Sequence, residues 1–369
     1  MLDKISDLRF EIVKTSHKIL KGNVKGLDAG FRNFVHLIVS NDNGFQWALE
    51  LYSGTYLSDE FDHCLSQINR QIKKKIILGD AIKLLSELHV PFTTPYRSIQ
   101  IIIDAIISCL VIYQLYLKKE LEKYLSPIPL SRCYTSGGTT PLNLPEINSE
   151  IELTLKNKVN AYKFRANVHD DDRITKVIKC IPEDFNLMVD FIGGTRETGN
   201  LETVKKYLEK YDLLNKITWF EEPFSSFDFS NYKKIKNAVK NAGICGGESL
   251  PTKELLFLFD EMGCCDYLQI DACFNINLKD AQTIKFNSKQ VIHNWSGPYG
   301  TLTNIILFNF VDADWFELPL PQYDFCNCFD PQMNIFNLVA NPIKFFSSTK
   351  IENLMKYDYS ESYDFKWIK

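Results

Sequence analysis

Seven apolar, strand-like runs between residues 161 and 320 finish on ionisable residues. In chain order they end on Lys163 and Arg165 in "AYKFRA", Asp190 in "NLMVDF", Glu221 in "ITWFEEP", Glu248 in "GICGGE", Asp271 in "YLQIDA", His293 in "QVIHN" and Glu317 in "WFELPL". A single charged strand end is ordinary solvated loop chemistry. Seven in succession place these groups around one mouth, because catalytic groups of a parallel barrel collect at the C-terminal ends of its strands.

Asp190, Glu221 and Glu248 end three adjacent strands, so their carboxylates converge. Left bare, each pair would repel by about 4 kcal/mol at ~4 Å and an effective dielectric of ~20. A hard divalent cation removes that cost, and an all-oxygen donor set without Cys or His selects Mg²⁺ ahead of zinc. Strand alternation turns Glu222 the other way, as a hydrogen-bond acceptor behind the cluster. The same alternation points Lys163 and Arg165 inward together and Phe164 outward; charge balance for the acidic cluster is their simplest role. Asp271 and His293 sit on neighbouring strands, and a carboxylate beside an imidazole fixes its tautomer and raises its pKa, as a proton-transfer group requires. Glu317 can donate or accept a hydrogen bond across the mouth.

These residues need a frame that repeats a strand and a helix. From about residue 126, short apolar strands alternate with amphipathic stretches such as "NLETVKKYLEKYDL" and "TKELLFLFDEMG". With "PLSRCYTS" included, eight strands are read with no hairpin signal between them, which predicts an α/β fold, a (β/α)8 TIM-type barrel. Ahead of it, residues 1–60 read as strands, with an Asn43-Gly44 hairpin turn. Residues 60–125 read as helices, where the lysines of "RQIKKK" form a solvated face. The apolar run 101–117 carries Asp104, Ser108 and Gln114 and falls short of the usual ~20-residue span, so it predicts a buried helix and no membrane partner. The tail, with Pro331 and Pro342, is expected to pack back on the N-terminal part.

Composition bounds the class. The chain has 369 residues, 45% hydrophobic and 24% charged, which is ordinary for a globular protein. A formal net charge of −4 gives no reason to expect nucleic acid. Ten cysteines without a CxxC pair, including the neighbours Cys264 and Cys265, read as reduced thiols of an intracellular, cytoplasmic protein. The first residues, "MLDKISDLRFEIVK", lack the charged and apolar regions of a signal peptide.

The ordered set Lys-x-Arg, "MVDF", "WFEEP", "GES", "QIDA", "HNWSGPYG" and "FELP" resembles the enolase superfamily, in particular its mandelate racemase-like branch. The resemblance covers nearly the whole chain. It implies a capping α+β domain at 1–125, a barrel at 126–340 and a tail at 341–369 that completes the cap. It also implies Asp190, Glu221 and Glu248 as Mg²⁺ ligands, Lys163 and Arg165 as the paired cations, Asp271–His293 as the general-base dyad and Glu317 as the hydrogen-bonding acid. The shared chemistry is removal of the proton α to a carboxylate, giving an enediolate whose charge is stabilised by preorganised cations. Arg165 stands where a lysine base is usual and is a poor base, so one-face chemistry is expected: dehydration of a sugar acid to a 2-keto-3-deoxy acid. A racemase or epimerase of a 2-hydroxy acid, and a non-catalytic carboxylate-binding relative, are the alternatives. Cap loops near 16–30 and 52–57 would face the small-molecule carboxylate, and a symmetric homo-oligomer is expected. "FIGG" after Asp190 and "NPIKFF" near the end depart from the family's pattern.

Overall fold

The computed structural model describes residues 8–18, 31–51, 96–138, 144–167, 171–191, 201–213, 215–320 and 334–348. Most of both expected cap loops, 19–30 and 52–57, the helical reading of 60–95 and the tail at 321–333 and 349–369 lie outside these described residues.

The chain opens with a three-stranded antiparallel sheet of β1 (Arg9–Lys18), β2 (Phe31–Ser40) and β3 (Gln46–Leu51) in that spatial order. The hairpin turn between β2 and β3 falls at Asn43-Gly44. Gly44 has φ +87°, a left-handed conformation that glycine adopts without a Cβ penalty. Asn41 Oδ1 closes the turn by accepting from the amides of Asn43 at 3.0 Å and Phe45 at 2.9 Å. Helix α1 (Tyr96–Leu117) packs on this sheet. Its Gln100–Leu117 stretch is apolar and long enough to cross a membrane, with mean hydropathy 1.8, yet 78% of it is buried inside the protein. Its polar residues show what it packs on. Asp104 Oδ1 accepts from Asn277 Nδ2 at 2.7 Å, and Ser108 Oγ accepts from the amide of Leu278 at 3.1 Å. Both bonds tie α1 to the first turn of a barrel helix.

That barrel is closed and parallel, built from β4 (Cys133–Gly137), β5 (Ala161–Arg165), β6 (Asn186–Asp190), β7 (Ile217–Glu221), β8 (Gly243–Gly246), β9 (Tyr267–Ile270), β10 (Lys289–Ile292) and β11 (Trp315–Pro319). Each strand pairs with the next, and β11 returns to β4. Around it run α3 (Leu144–Lys156), α4 (Asp171–Cys180), α5 (Leu201–Asp212), α6 (Phe229–Ala238), α7 (Lys253–Glu261), α8 (Leu278–Thr283), α9 (Pro298–Val311) and α10 (Ile335–Ala340), after the short α2 (Leu121–Tyr124). The expected eight strand–helix units are all present. The first strand is shorter than its apolar run, because Leu130–Arg132 form a 3₁₀ turn and Arg132 reaches over to Asp312. The helix read at 277–287 likewise stops at Thr283.

Alternation divides the strand residues between two cores. Phe164, Val189, Phe220, Ile244, Ile292 and Phe316 face the helices. Tyr134, Ala161, Met188, Trp219, Cys245 and Val291 fill the barrel, with Trp219 edge-on to Tyr134 at 5.2 Å. This inner layer forms the floor of the mouth. One irregularity matters for function. Leu187 pairs with Ile217 but Met188 with Trp219, so β7 carries an extra residue at Thr218. The bulge shifts the alternation, and Trp219 and Glu221 turn inward.

The chain is stitched where it enters and leaves the barrel, by a hydrogen bond from the amide of Ile128 to the carbonyl of Val339 at 3.0 Å. Beyond it, α11 (Pro342–Ser348) brings Phe346 to 5.3 Å from Trp47 of β3. The "NPIKFF" segment, a departure from the expected pattern, forms this helix on the N-terminal sheet.

The α1–α8 seam makes stability depend on pH. Burial lifts Asp104 from 3.8 to about 6, against the hydrogen bonds from Asn277 and Gln100. The native state therefore binds this proton more tightly than the unfolded chain does, and stability falls as pH rises between those two values. Asp104→Asn, which keeps the acceptor for Asn277, is expected to raise stability by on the order of 2 kcal/mol at pH ~7.5 and to leave it unchanged near pH ~3.5. Urea denaturation of both proteins at the two pH values checks this.

Candidate active site

Register brings the expected groups to one level. Arg165 is the Cα partner of Asp190, Asp190 that of Glu221, and Ser136 that of Lys163. Glu248, Asp271 and His293 follow the ends of β8, β9 and β10, while Glu317 lies within β11. All eight predicted side chains meet at the C-terminal mouth of the barrel.

The Lys163 ammonium is their centre. It lies 2.5 Å from Glu221 Oε1, 2.9 Å from Glu317 Oε1, 3.8 Å from Glu248 Oε2 and 3.9 Å from Asp190 Oδ2. Its side chain is 1% exposed. Burial would depress its pKa, but Glu221 and Glu317 outweigh that and hold it well above the ordinary lysine value. Arg165 approaches Asp190 Oδ2 at 3.4 Å through Nε, and its guanidinium lies 4.5 Å from the Trp295 ring. Its Nη1 is buried and has no hydrogen-bond partner among the described residues.

Asp190, Glu221 and Glu248 each offer an oxygen within 4.8 Å of the others. Two are oriented from behind, a support typical of metal sites: Trp219 Nε1 donates to Glu221 Oε2 at 3.0 Å, and Gln269 Nε2 to Glu248 Oε2 at 3.0 Å. Burial and the neighbouring carboxylates push Glu221 well above the usual range and raise Glu248, even beside Lys163. A triad of hard oxygens whose mutual repulsion is only partly relieved by one ammonium fits a divalent cation such as Mg²⁺.

Gly247 makes this geometry possible. Its φ is +119°, and a Cβ there would come 2.9 Å from the carbonyl oxygen of Gln269, so "GGES" turns sharply and projects Glu248 over the mouth. Glu222 also has a left-handed φ of +43°. Its buried carboxyl accepts from Ser226 Oγ at 3.1 Å and Ser249 Oγ at 2.9 Å. Burial, with Asp190 nearby, raises its pKa to about 7. It thus tethers the loop that carries Glu248, the outward acceptor role expected for it.

The dyad is formed. His293 Nδ1 and Asp271 Oδ2 are 2.9 Å apart, and Nε2 faces the cluster, 3.7 Å from Glu248 Oε2 and 3.9 Å from Glu317 Oε2. Burial lowers the pKa of His293, but Glu248 and the hydrogen bond to Asp271 dominate and raise it to about 9. Asp271 is held in turn: its Oδ1 accepts from the amide of Cys273 at 2.8 Å and from Asn304 Nδ2 at 3.0 Å. Glu317 acts as an acceptor here, from the amide of Asn294 at 3.0 Å, Trp295 Nε1 at 3.1 Å and Lys163. Burial raises the pKa of Glu317, but Lys163 and His293 overcome that and take it to about 2.

Sequence reasoning missed several residues of this site. Asn304 was detectable as one of two amides, with Asn309, in a largely apolar helix. Gln269, two residues before Asp271, shares its inward face by alternation. Ser136 left no charged signal, yet its buried Oγ, also without a partner among the described residues, lies beside Lys163 in register.

Residues 147–323 match the family model described as enolase C-terminal domain-like. Solved structures share the fold. The 3,6-anhydro-D-galactonate cycloisomerase from Zobellia galactanivorans is 22% identical, with a TM-score of 0.67, over 85% of this chain and 87% of that one. The L-talarate/galactarate dehydratase from Salmonella typhimurium LT2, liganded with Mg and L-lyxarohydroxamate, is 18% identical, with a TM-score of 0.70, over 88% and 85%. A mandelate racemase/muconate lactonizing enzyme-like protein from Rubrobacter xylanophilus is 14% identical, with a TM-score of 0.67, over 85% and 86%. No curated protein matches the chain. Most of the barrel thus carries the enolase C-terminal domain-like match, and mandelate racemase-like proteins are among the solved structures that share its architecture. The N-terminal sheet and α1 form the capping part of that architecture.

Asn304→Leu fills the same space without the donor to Asp271. It is expected to destabilise the fold by about 2 kcal/mol, the usual loss for a hydrogen bond to a buried charged group. Equilibrium urea unfolding measures it.

Proposed function

We propose that the protein is an Mg²⁺-dependent enzyme that abstracts the proton α to a carboxylate and dehydrates a sugar acid to a 2-keto-3-deoxy acid. The observation that carries this reading is the Asp271–His293 dyad facing Lys163 and Arg165 across the carboxylate triad, with no neutral base opposite it among the described residues. Asp190, Glu221 and Glu248 would hold the ion. When bound, Mg²⁺ supplies Lewis-acid stabilisation of the charge that develops on the substrate carboxylate.

The chain's own groups do the rest. Lys163 and the Arg165 Nη1 donor bind and orient the carboxylate. His293 Nε2, in the neutral ring whose Nδ1–H is donated to Asp271, takes the α proton and breaks the C–H bond; a dication held by Glu248 would offset the charge that raises this imidazole. The same imidazolium returns that proton to the β-hydroxyl, which leaves as water as the C–O bond breaks. The resulting enol ketonises to the 2-keto acid. Arg165 stays protonated at any relevant pH, and Lys163 is engaged by Glu221 and Glu317. Neither is a second base, which favours elimination over racemisation. Glu317 keeps Lys163 charged and in place.

The same reading divides the chain into a cap at 1–125, a barrel at 126–340 and a tail at 341–369 that returns to the cap; Phe346 on Trp47 supports it. It further places the enzyme in the cytoplasm, as a homo-oligomer acting on a small carboxylate and not on nucleic acid or membrane. The buried free thiols of Cys264 and Cys265 are in keeping with that compartment, and the exposed Phe257 and Leu258 of α7 supply apolar surface for self-contact.

A screen of acid sugars with Mg²⁺, following 2-keto-3-deoxy product with a carbonyl reagent, tests the reaction. Wild type is expected to give product, and His293→Asn to lose at least about a thousandfold in rate, the scale of general-base catalysis. Exchange of an α proton with D₂O without product would replace this reading with a racemase or epimerase. Silence in both assays would leave a non-catalytic carboxylate binder. Separately, Mg²⁺ is expected to raise the wild-type melting temperature, and Glu221→Gln to weaken the ion's apparent affinity at least about tenfold, as removal of one charged ligand should.

A further inference from the structure

The segment after His293, Asn294-Trp295-Ser296-Gly297-Pro298-Tyr299-Gly300, does more than follow a strand. On the barrel side its first residues hold the site: the amide of Asn294 and the indole of Trp295 both donate to Glu317, and the Trp295 ring covers the Arg165 guanidinium. The segment then starts α9, whose Asn304 donates to Asp271 Oδ1 and to the carbonyl of His293. Its other side faces the N-terminal sheet. There Glu50 of β3, 1% exposed, accepts from the amide of Gly297 through Oε2 at 2.6 Å.

This approach is built into the sequence. A Cβ on Gly300 would lie 2.4 Å from Ser296 Cβ and 3.1 Å from Glu50 Cβ, so only glycine lets β3 come so close to the first turn of α9. Gly297 is the N-cap residue of α9, where a carboxylate is favoured by the amide dipoles. Around the bond, Tyr299 stands edge-on to His36 at 6.0 Å and to Phe345 of α11 at 6.1 Å. His36 Nε2 is 4.0 Å from Glu50 Oε2, and burial pushes His36 down to about 3, so that ring is neutral at ordinary pH.

We propose that Glu50 is a positioning residue: from the N-terminal sheet it anchors residues 294–297 and the start of α9, and through them sets Trp295 on Glu317 and Arg165. The cap is then part of the barrel's catalytic geometry as well as its cover. Only the catalytic meaning of this anchor rests on the proposed function; the anchor itself is measurable without substrate.

The Trp295 indole N–H reports the anchor directly. In protein with ¹⁵N-labelled tryptophan, the five indole resonances are resolved and that of Trp295 is assigned with Trp295→Phe. Exchange of each indole N–H with D₂O is then followed in wild type, Glu50→Ala and Glu50→Gln. Glu50→Ala is expected to speed exchange at Trp295 about tenfold or more, the scale of losing a hydrogen bond to a charged group, with Trp219 unchanged. Glu50→Gln keeps an acceptor oxygen and is expected to stay within about threefold of wild type. If Glu50→Ala does not fold, Gly297→Pro removes the same bond from the donor side, at a φ of −70° that proline adopts. Unchanged exchange at Trp295 would overturn the proposal, and so would equal acceleration at Trp219, which would mean general loss of stability. An enzyme inactive in the acid-sugar screen but selective at Trp295 would sink the proposed reaction and leave the anchor standing.

Discussion

Four carboxylates and one ammonium in the same buried space set the terms for everything else in this protein. Asp190, Glu221, Glu248 and Glu317 all lie within 4 Å of Lys163 Nζ, at the end of a barrel packed with aromatic side chains. Such a cluster is unfavourable unless its geometry is held from outside, because an uncompensated buried charge costs several kcal/mol. Each member is accordingly braced. Trp219 holds Glu221, Gln269 holds Glu248, Asn294 and Trp295 hold Glu317, and Arg165 approaches Asp190. The remaining excess of negative charge is what a hard dication would meet.

Backbone devices do the aiming. The bulge at Thr218 turns Trp219 and Glu221 inward together. The left-handed turns at Glu222 and Gly247 then bring the ends of β7 and β8 into contact through Glu222, Ser226 and Ser249. Strain and like-charge repulsion are tolerated here because the closed barrel leaves the strands no freedom to separate. On the opposite side, the dyad depends less on strain than on satisfied hydrogen bonds. Asn304 serves Asp271, His293 and the amide of Ala272 from the middle of an apolar helix.

The N-terminal sheet shares in this arrangement. Its contact with the barrel near the site is polar, at Glu50 and Gly297, whereas at Trp47 it packs an aromatic ring on Phe346 of the tail helix α11. The α1–α8 seam repeats the pattern, with Asp104 and Ser108 serving Asn277 and Leu278 inside an otherwise apolar interface. Buried polar bonds of this kind specify one docking orientation, since sliding either element would leave them unpaired.

Periodicity and the ends of the strands were enough to read the barrel, its eight strands, the hairpin at Asn43-Gly44 and the eight charged residues at the mouth. These follow from local rules: alternation fixes which face a strand residue takes, and strand ends fix the level at which it sits. What those rules do not contain is distance between elements far apart in the chain. That Lys163 is shared by Glu221 and Glu317, that Asn304 donates to Asp271 and to the carbonyl of His293, and that Glu50 reaches Gly297 across more than half the chain were decided only when the barrel closed and the sheet docked. Neutral polar residues such as Ser136 and Gln269 carry no charge to mark them in a sequence, and they acquire a role only from the partners that tertiary packing places beside them.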